Sequence, residues 1–359
     1  MIRPIVGVLS ALLLTAACTA QPPATQGPPT QAPGTQAPAT DAPATQAPGT
    51  AQPGATTIRV VQSSTPDFTQ IALTKWQQLL EEQGVTVEFV NVEGGDVAFR
   101  TMIAGSADFN VGGITHLVNL VQATDEEVKL IAIDAVATDY IIVCQPEITS
   151  VDQLVGARLG INRPGDSGDS VMRAALRGVG FDVEQAEFLQ IGGTSARVAA
   201  LLSGQIDCGP AHAAEAFTAT DEGLTNLMLA HEGIGPYPQT GLMTTEAYLT
   251  DNPELTQRVV DAFVEAQRWA AGSKDEYIEL SHEVVEELSD DIRSRAYDVL
   301  DEIGLFGVDG GLTPELLESF IEIELQAGTI EGEVPPQDEW VDFSFVDDYL
   351  ERNGPYEGD

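Results

Sequence analysis

The sequence predicts an α/β protein that is built as two similar lobes. Short apolar segments that are typical of buried strands alternate with longer segments of helical periodicity, as in a mainly parallel sheet with helices on both faces. Residues 102–113 and 191–210 repeat one pattern, in which a helix end and a glycine precede an aspartate and a strand. A chain of 359 residues is long enough for each lobe to bury its own core.

The first half of the folded part is expected to contain three strand–helix units. The strands are predicted at residues 58–62, 85–92 and 108–111. The helices are predicted at residues 66–83, 96–105 and 116–123. Thr65 is expected to cap the first helix, with Pro66 in its first turn, because a hydroxyl can bind the free N–H groups there.

The same order of elements starts again after residue 144. Residues 128–144 are expected to form two strands that are interrupted near Thr138, where the chain crosses between lobes. The second lobe has predicted strands at residues 157–161, 186–191 and 227–230 and helices at residues 170–179 and 213–220. After a second crossing, a strand is predicted at residues 242–245 and helices at residues 253–271, 289–303, 314–326 and 345–353. The two crossings place residues 57–140 and 236–359 in lobe 1 and residues 141–235 in lobe 2.

The N-terminus reads as a targeting segment. Residues 1–17 carry one positive charge and an apolar run too short to span a membrane as a mature helix, which is typical of an export signal. The small residues before Cys18 resemble a bacterial lipoprotein cleavage site, so Cys18 is expected to carry lipid; the alternative is an ordinary secretory signal. Residues 18–56 contain four pentapeptides of the TQAPG type and predict a disordered tether.

Charge and cysteine content limit the partners. The chain has 16 basic and 56 acidic residues, a net charge of −40, which argues against nucleic acid as a partner. No other segment is long and apolar enough to span a membrane, so the lipid would be the only anchor. Cys144 and Cys208 lie at predicted strand ends, and either a disulfide or two buried thiols fits them.

A ligand site is expected between the lobes. In open parallel sheets ligands bind beyond the carboxyl ends of the strands, where loops lead into helix N-termini. Four such loops occur, two from each half, at residues 63–67, 112–115, 162–169 and 192–197. The candidate ligand-binding residues, most of them in these loops, are Ser63, Ser64, Thr65, Gly113, Thr115, Asp166, Ser167, Gly168, Gly193, Thr194, His212 and Tyr237.

The loops leave the charge of the ligand open. Arg163 or Arg197 can pair with an anionic group, although a surface ion pair is the simpler expectation for Arg197. Asp166 and Asp169 favour a cationic or polar nitrogen if both face the cleft, but helix capping explains them equally well. Glu215 is expected on an exposed helix face. No spacing typical of a metal, cofactor or catalytic nucleophile occurs, so no catalytic residue, metal or cofactor is predicted.

Four segments carry a family resemblance. Residues 104–113 (AGSADFNVGG), 150–160 (SVDQLVGARLG), 191–210 and 245–255 (TEAYLTDNPEL) resemble a solute-binding lipoprotein of an ABC importer, in the NMT1/nitrate–sulfonate–taurine-like group. The resemblance implies a type II periplasmic binding protein fold with a ligand cleft at the hinge. It also implies permease and ATPase partners and hinged closure.

The resemblance implies a function of a general kind. The expected protein is an exported, monomeric, lipid-anchored receptor that traps a small polar organic solute, either sulfonate-, nitrate- or taurine-like or thiamine-pyrimidine-like. The alternatives are a sensor for a signalling partner and a secreted enzyme on the same scaffold. Relatives that make the thiamine pyrimidine use a cysteine-rich motif, which this chain lacks.

Overall fold

The computed structural model describes residues 56–63, 67–92 and 94–358. The predicted signal at residues 1–17, the lipidation site Cys18 and all but the last residue of the predicted tether lie outside these ranges. Ser64 and Thr65 lie outside them as well.

In the described part of the chain, ten strands form two five-stranded sheets. They are β1 Thr56–Gln62, β2 Val85–Asn91, β3 Phe109–Gly113, β4 Val128–Ala135, β5 Ile141–Cys144, β6 Arg158–Ile161, β7 Glu187–Gln190, β8 Cys208–Ala211, β9 Thr225–Leu229 and β10 Thr240–Thr245. The strand orders are β2-β1-β3-β10-β4 in lobe 1 and β7-β6-β8-β5-β9 in lobe 2. In each sheet four strands share one direction, while β10 or β5 runs against its two neighbours. The prediction of two lobes with mainly parallel sheets is confirmed.

Helices flank the sheets. They are α1 Ile71–Glu82, α2 Gly95–Ile103, α3 Ile114–Ala123, α4 Ser167–Gly178, α5 Thr194–Leu202, α6 Ala213–Asp221, α7 His231–Ile234, α8 Glu246–Asp251, α9 Pro253–Gly272, α10 Lys274–Val284, α11 Asp290–Glu302, α12 Pro314–Ala327, α13 Gln337–Trp340 and α14 Ser344–Asn353. The long helices fall where the sequence predicts them, whereas α7, α8, α10 and α13 were not predicted. None of the described helices has the length and apolar character needed to cross a bilayer.

The start of the first helix differs from its prediction. A 3-10 turn, Phe68–Gln70, precedes α1, and Asp67 rather than Thr65 caps it. The Asp67 carboxylate accepts a hydrogen bond from the backbone N–H of Thr69 at 2.8 Å. An aspartate is as good a cap as a threonine, so the pattern alone did not separate the two.

An aspartate before a central strand holds each sheet. Asp108 accepts hydrogen bonds from the backbone N–H of Arg59 at 2.7 Å and from its guanidinium at 2.9 Å. Asp207 accepts the same two bonds from Arg158, at 2.7 and 2.6 Å. Both aspartates therefore serve the sheet, because each joins the strand after it to the parallel neighbour of that strand, β1 in lobe 1 and β6 in lobe 2.

Cys144 and Cys208 form a disulfide in lobe 2. The antiparallel register of β5 and β8 places the two residues directly opposite each other, with 4.0 Å between their Cα atoms. Of the two alternatives that the sequence left open, the structure has the bridge. It joins strands whose cysteines are 64 residues apart in the chain.

Candidate functional site

A cavity of about 990 Å³ lies between the lobes. Its wall is built from the loops after β1, β2 and β3 in lobe 1 and after β6, β7 and β8 in lobe 2. Helices α2, α3, α4, α5 and α6 begin at these loops, so several helix N-termini meet at the wall. The cavity is therefore where strand order and helix direction predict a ligand.

Eight of the predicted site residues line this cavity. They are Ser63, Gly113, Thr115, Asp166, Ser167, Gly193, Thr194 and His212. They come from all four predicted loops and, in the case of His212, from the loop after β8. Ser64 and Thr65 fall outside the described residues, and their placement stays a prediction.

Gly168 and Tyr237 lie behind the cavity wall. A Cβ on Gly168 would approach Oδ1 of Asn162 to 2.8 Å, so this glycine allows the loop after β6 to pack on α4. Tyr237 is 1% exposed, and its hydroxyl donates to Oε1 of the fully buried Glu324 at 2.5 Å. Burial raises the pKa of Tyr237 well above its usual value. Tyr237 thus belongs to the packing between the second crossing and α12.

Arg197 neither lies in a surface ion pair nor points a free guanidinium at a ligand; its side chain is buried and bonded within lobe 2. Its side chain is only 1% exposed, and burial lowers its pKa. Nε donates to the carbonyl of Pro210 at 2.8 Å, and Nη1 donates to the carbonyl of Gly192 at 2.7 Å. Nη2 donates to Oγ1 of Thr194 at 2.9 Å. The guanidinium therefore ties the loop before α5 to the end of β8.

Asp166 joins the lobes across one side of the cavity. It accepts hydrogen bonds from Nε of Arg163 at 3.1 Å and from Nδ2 of Asn162 at 3.0 Å, both in its own lobe. Nε2 of His116, from α3 in lobe 1, lies 3.7 Å from its other oxygen. Asp169 turns away from the cavity and pairs with Arg173 at 2.6 Å. A cationic or polar nitrogen was predicted on the condition that both aspartates face the cleft, and of the two only Asp166 lines the cavity.

Another part of the cavity wall is rich in carboxyl groups. Asp67 and Asp134 come from lobe 1, Asp139 from the first crossing, and Glu215 from α6 in lobe 2. We call these four residues the carboxylate end. Burial raises the pKa of Asp134 to about 6 and also raises the pKa of Glu215. The expectation that Glu215 is exposed is wrong, because α6 turns this side chain toward the cavity.

His212 sits among these acids at the N-terminus of α6. Its Nδ1 lies 2.7 Å from Oδ1 of Asp139, and its Nε2 lies 3.9 Å from Oδ2 of Asp67. Burial opposes protonation of the ring, but these carboxylates raise the pKa of His212 well above its usual value. The other oxygen of Asp139 accepts the backbone N–H of Ala213 at 2.9 Å. His212 and Asp139 therefore form a fixed ion pair.

Several buried polar atoms of the wall have no hydrogen-bond partner among the described residues. They are Oε1 of Gln70, Oδ1 of Asp134, Oδ1 of Asn162, Oε2 of Glu215 and Nε2 of Gln267. Buried polar groups are normally paired, and an unpaired one costs about 1–3 kcal/mol. The wall thus keeps hydrogen-bonding capacity that a polar molecule in the cavity can use.

One of the missed acids has a recognisable signal in the sequence. Asp134 is the only charged residue between Leu130 and Ala137, in a run that is otherwise apolar. A charge at such a position requires a partner or a polar cavity. Within the described ranges, no group of three or more His, Cys, Asp or Glu side chains is arranged to hold a metal ion.

Comparisons with known proteins place this site in a family context. The model of the family described as NMT1/THI5 like matches residues 65–276. No curated protein matches the chain.

Solved structures share the fold. The alkanesulfonate-binding protein SsuA from Xanthomonas axonopodis pv. citri, bound to MOPS, is 16% identical, with a TM-score of 0.64 over 80% of this chain and 98% of that one. The ligand-binding component of an ABC-type import system from Staphylococcus aureus, with zinc bound, is 12% identical, with a TM-score of 0.69 over 82% and 99%. The desulfurization enzyme DSZB is 17% identical, with a TM-score of 0.60 over 82% and 99%.

Proposed function

Because the chain belongs to the NMT1/THI5-like family, we propose that it is the substrate-binding protein of an ABC-type importer and captures a small polar organic solute between its lobes. The proposal covers an exported protein that stands outside the cytoplasmic membrane and delivers its solute to a permease and an ATPase. Proteins with this fold include a ligand-binding component of an ABC-type import system and an alkanesulfonate-binding protein.

One observation carries the proposal. A single wall is assembled from both lobes, with Thr115 and His116 on one side and Asp166 and Thr194 on the other. A receptor that closes on its ligand by a hinge needs contacts from both lobes, because only then does binding favour the closed state. The His116–Asp166 approach already spans the two lobes at 3.7 Å.

We propose in addition the lobe boundaries, the membrane anchor and the ligand contacts of the protein. Lobe 1 comprises residues 57–140 and 236–359, and lobe 2 comprises residues 141–235. The protein is a monomer that lipid on Cys18 anchors to the outer face of the membrane. Residues 18–56 form the tether. The ligand contacts are the predicted site residues in the cavity wall, with Gly193 and Thr194 at the N-terminus of α5 among them.

An enzyme on this scaffold is the second candidate. The observation that favours it is the His212–Asp139 pair, which resembles the base and its orienting acid in a catalytic triad. Against it, Nε2 of His212 faces the carboxylate of Asp67 at 3.9 Å. A triad would have the hydroxyl or thiol of a nucleophile at that position. In the described part of the chain this arrangement favours binding over turnover.

A ligand panel tests the receptor function. Thermal unfolding is followed with taurine, alkanesulfonates, nitrate, pyrimidines, polyamines and amino acids. A ligand present at about 100 times its Kd stabilises the folded state by about 2.7 kcal/mol, so a true ligand raises the unfolding midpoint clearly. Mass spectrometry of the recovered ligand distinguishes binding from turnover.

A blocked cavity supplies the matched variant. Gly193 lines the cavity with no atom within 4 Å of a Cβ placed on it, so Gly193→Phe fills the site without a clash in the wall. The variant is expected to fold and to lose the ligand-dependent shift. Val155→Phe, at an exposed position, is expected to keep it. A ligand that returns chemically altered, or a shift that Gly193→Phe retains, contradicts the proposal.

A further inference from the structure

We propose that the carboxylate end of the cavity binds the protonated nitrogen of a cationic organic solute, such as an amine, amidine or guanidine. The inference rests on the proposed receptor function and names the chemical class of its ligand. It follows from how the charged groups of the cavity wall are partnered within the protein.

The cationic groups of the wall are engaged by protein acceptors. Arg197 donates to two backbone carbonyls and to Thr194, and Arg163 pairs with Asp166. His212 is held between Asp139 and Asp67. An anionic ligand would have to compete with these contacts for each charge. Arg197 and His212 thus stabilise the wall.

The carboxylate end, in contrast, carries more acid than its cations balance. His212 lies beside Asp139 and Asp67 and also acts on Glu215, and Arg197 interacts with Glu215. Asp67 raises the pKa of both Asp134 and Glu215 by repulsion, although burial is the larger cause for each. Within the described residues, the four carboxyl groups of this end outnumber His212 and Arg197, the two cations that interact there, so the end is short of positive charge.

One oxygen of each of two of these acids has no hydrogen-bond donor among the described residues. Oδ1 of Asp134 and Oε2 of Glu215 are buried without a partner, and the Asp134 residue is only 8% exposed. Oε1 of Gln70 is a third acceptor without a partner in the same wall. Three acceptors without donors match an ammonium, amidinium or guanidinium group, each of which is purely a donor.

The position of the acids ties this contact to closure of the cleft. Asp134 belongs to β4 of lobe 1, whereas Glu215 belongs to α6 of lobe 2. A cation held by both carboxylates bridges the lobes, because one acid lies in each lobe. Without a cation, Asp67 of lobe 1 repels Glu215 of lobe 2, so the ligand favours the closed state by supplying positive charge at this end.

Compounds that differ only in their charged group test the inference. Butylamine, butane-1-sulfonate and 1-butanol share one alkyl chain, and agmatine and benzamidine present a guanidinium and an amidinium. Thermal unfolding at about pH 8 with roughly 10 mM of each is expected to give stabilisation with the cations only. Calcium and zinc chlorides are included as inorganic cations.

Two isosteric variants locate the contact. Asp134→Asn and Glu215→Gln each remove one carboxylate, and each is expected to weaken the best cation by about 30-fold or more in calorimetry. Asp152→Asn removes an exposed acid outside the cavity and is expected to keep the wild-type affinity. Because the two variants lie in different lobes, one remains informative if the other fails to fold.

Each outcome decides the inference. Stabilisation by the sulfonate and not by the amines overturns it and leaves the receptor function standing. Binding of the metal salts alone, lost in both variants, replaces the organic cation with an inorganic one and overturns it as well. Unchanged cation affinity in both variants also overturns it. No shift with any cation overturns it, and the broader panel with Gly193→Phe then decides the receptor function separately.

Discussion

Arg59–Asp108 in lobe 1 and Arg158–Asp207 in lobe 2 are the same contact built twice. In both lobes 49 residues separate the arginine from the aspartate, and the carboxylate binds the backbone N–H and the guanidinium of its arginine. The contact lies beside the central strands, far from the loops of the cavity wall. Its repetition indicates that the sheet frame of one lobe repeats that of the other.

The lobes differ one residue further along the same strands. In lobe 2, Cys208 follows Asp207 and is bonded to Cys144 of the antiparallel strand β5. In lobe 1, Phe109 follows Asp108, and Thr244 of the antiparallel strand β10 donates to the carbonyl of Asp108 at 2.7 Å. The same junction is thus covalent in one lobe and hydrogen-bonded in the other.

The cavity loops differ more than the sheets do. Lobe 1 contributes the Gly112–Gly113 turn and three aspartates, whereas lobe 2 contributes His212, Glu215 and the Arg197 clamp. Construction of the sheets is therefore shared between the lobes, while the chemistry of the cavity is divided between them. Variants that act on one lobe at a time measure how far that division extends.

Loss of the disulfide is expected to have the largest effect. The bridge closes a loop of 64 residues, and loop-closure entropy of that size corresponds to about 4 kcal/mol. The double variant Cys144→Ala/Cys208→Ala is expected to lower the free energy of unfolding by about this amount, measured by chemical denaturation. Amide exchange is expected to rise in β5 and β8 and to stay unchanged in β3 and β10.

The control for this prediction is the hydrogen-bonded junction of lobe 1. Thr244→Val removes the bond to the Asp108 carbonyl and is expected to cost about 1 kcal/mol, with faster exchange in lobe 1 only. Equal exchange changes in both lobes after loss of the disulfide would contradict independent sheet frames.

Replacement of Asp134 is expected to have the next largest effect, and this effect is an increase in the free energy of unfolding. Its pKa is raised from an unfolded value of about 3.9 to about 6, chiefly by burial, so the folded state holds the proton more tightly. Between about pH 4 and pH 6 the unfolding free energy of the wild type therefore falls as pH rises. Asp134→Asn avoids this loss and is expected to be more stable at about pH 8, by on the order of 2–3 kcal/mol.

Stability measured across pH separates this effect from a general change in packing. Below about pH 4 the wild-type carboxyl is protonated in both states, so the wild type and Asp134→Asn are expected to unfold with similar free energies. Asp152→Asn, on the exposed surface, is expected to change little at either pH. A constant difference between the wild type and Asp134→Asn at all pH values would show that the charge is not the cause.

Much of this arrangement is readable from the sequence because it is local. Alternating strand and helix segments and the repeated Gly and Asp pattern predict two lobes, and loop positions after strands predict Gly113, Asp166, Gly193 and His212 in the cavity wall. Parallel strands fix which loops meet. Side chains that sit in these loops are therefore found without knowing how they pack.

The rest depends on orientation, which a local pattern does not specify. Glu215 lies on a helix that contacts solvent and cavity on different faces, and the turn of α6 decides which face it occupies. Tyr237 stands beside a crossing, yet its ring turns into the packing against α12. Arg197 shows the same dependence, since its carbonyl partners come together only when the end of β8 meets the loop before α5.

The paired aspartates give the smallest effect and the closest test of the repeated frame. Asp108→Asn and Asp207→Asn each weaken one charged contact and are each expected to cost about 1–2 kcal/mol in chemical denaturation. The Arg158 guanidinium lowers the pKa of Asp207 despite partial burial, so this contribution is present above about pH 4 and is lost as pH falls below that value. If the two frames are equivalent, both variants lose similar free energy of unfolding. When the disulfide is also removed, Asp207→Asn is expected to lower the free energy of unfolding further. A large loss with Asp108→Asn beside none with Asp207→Asn would instead mean that the disulfide has taken over the role of the ion pair in lobe 2.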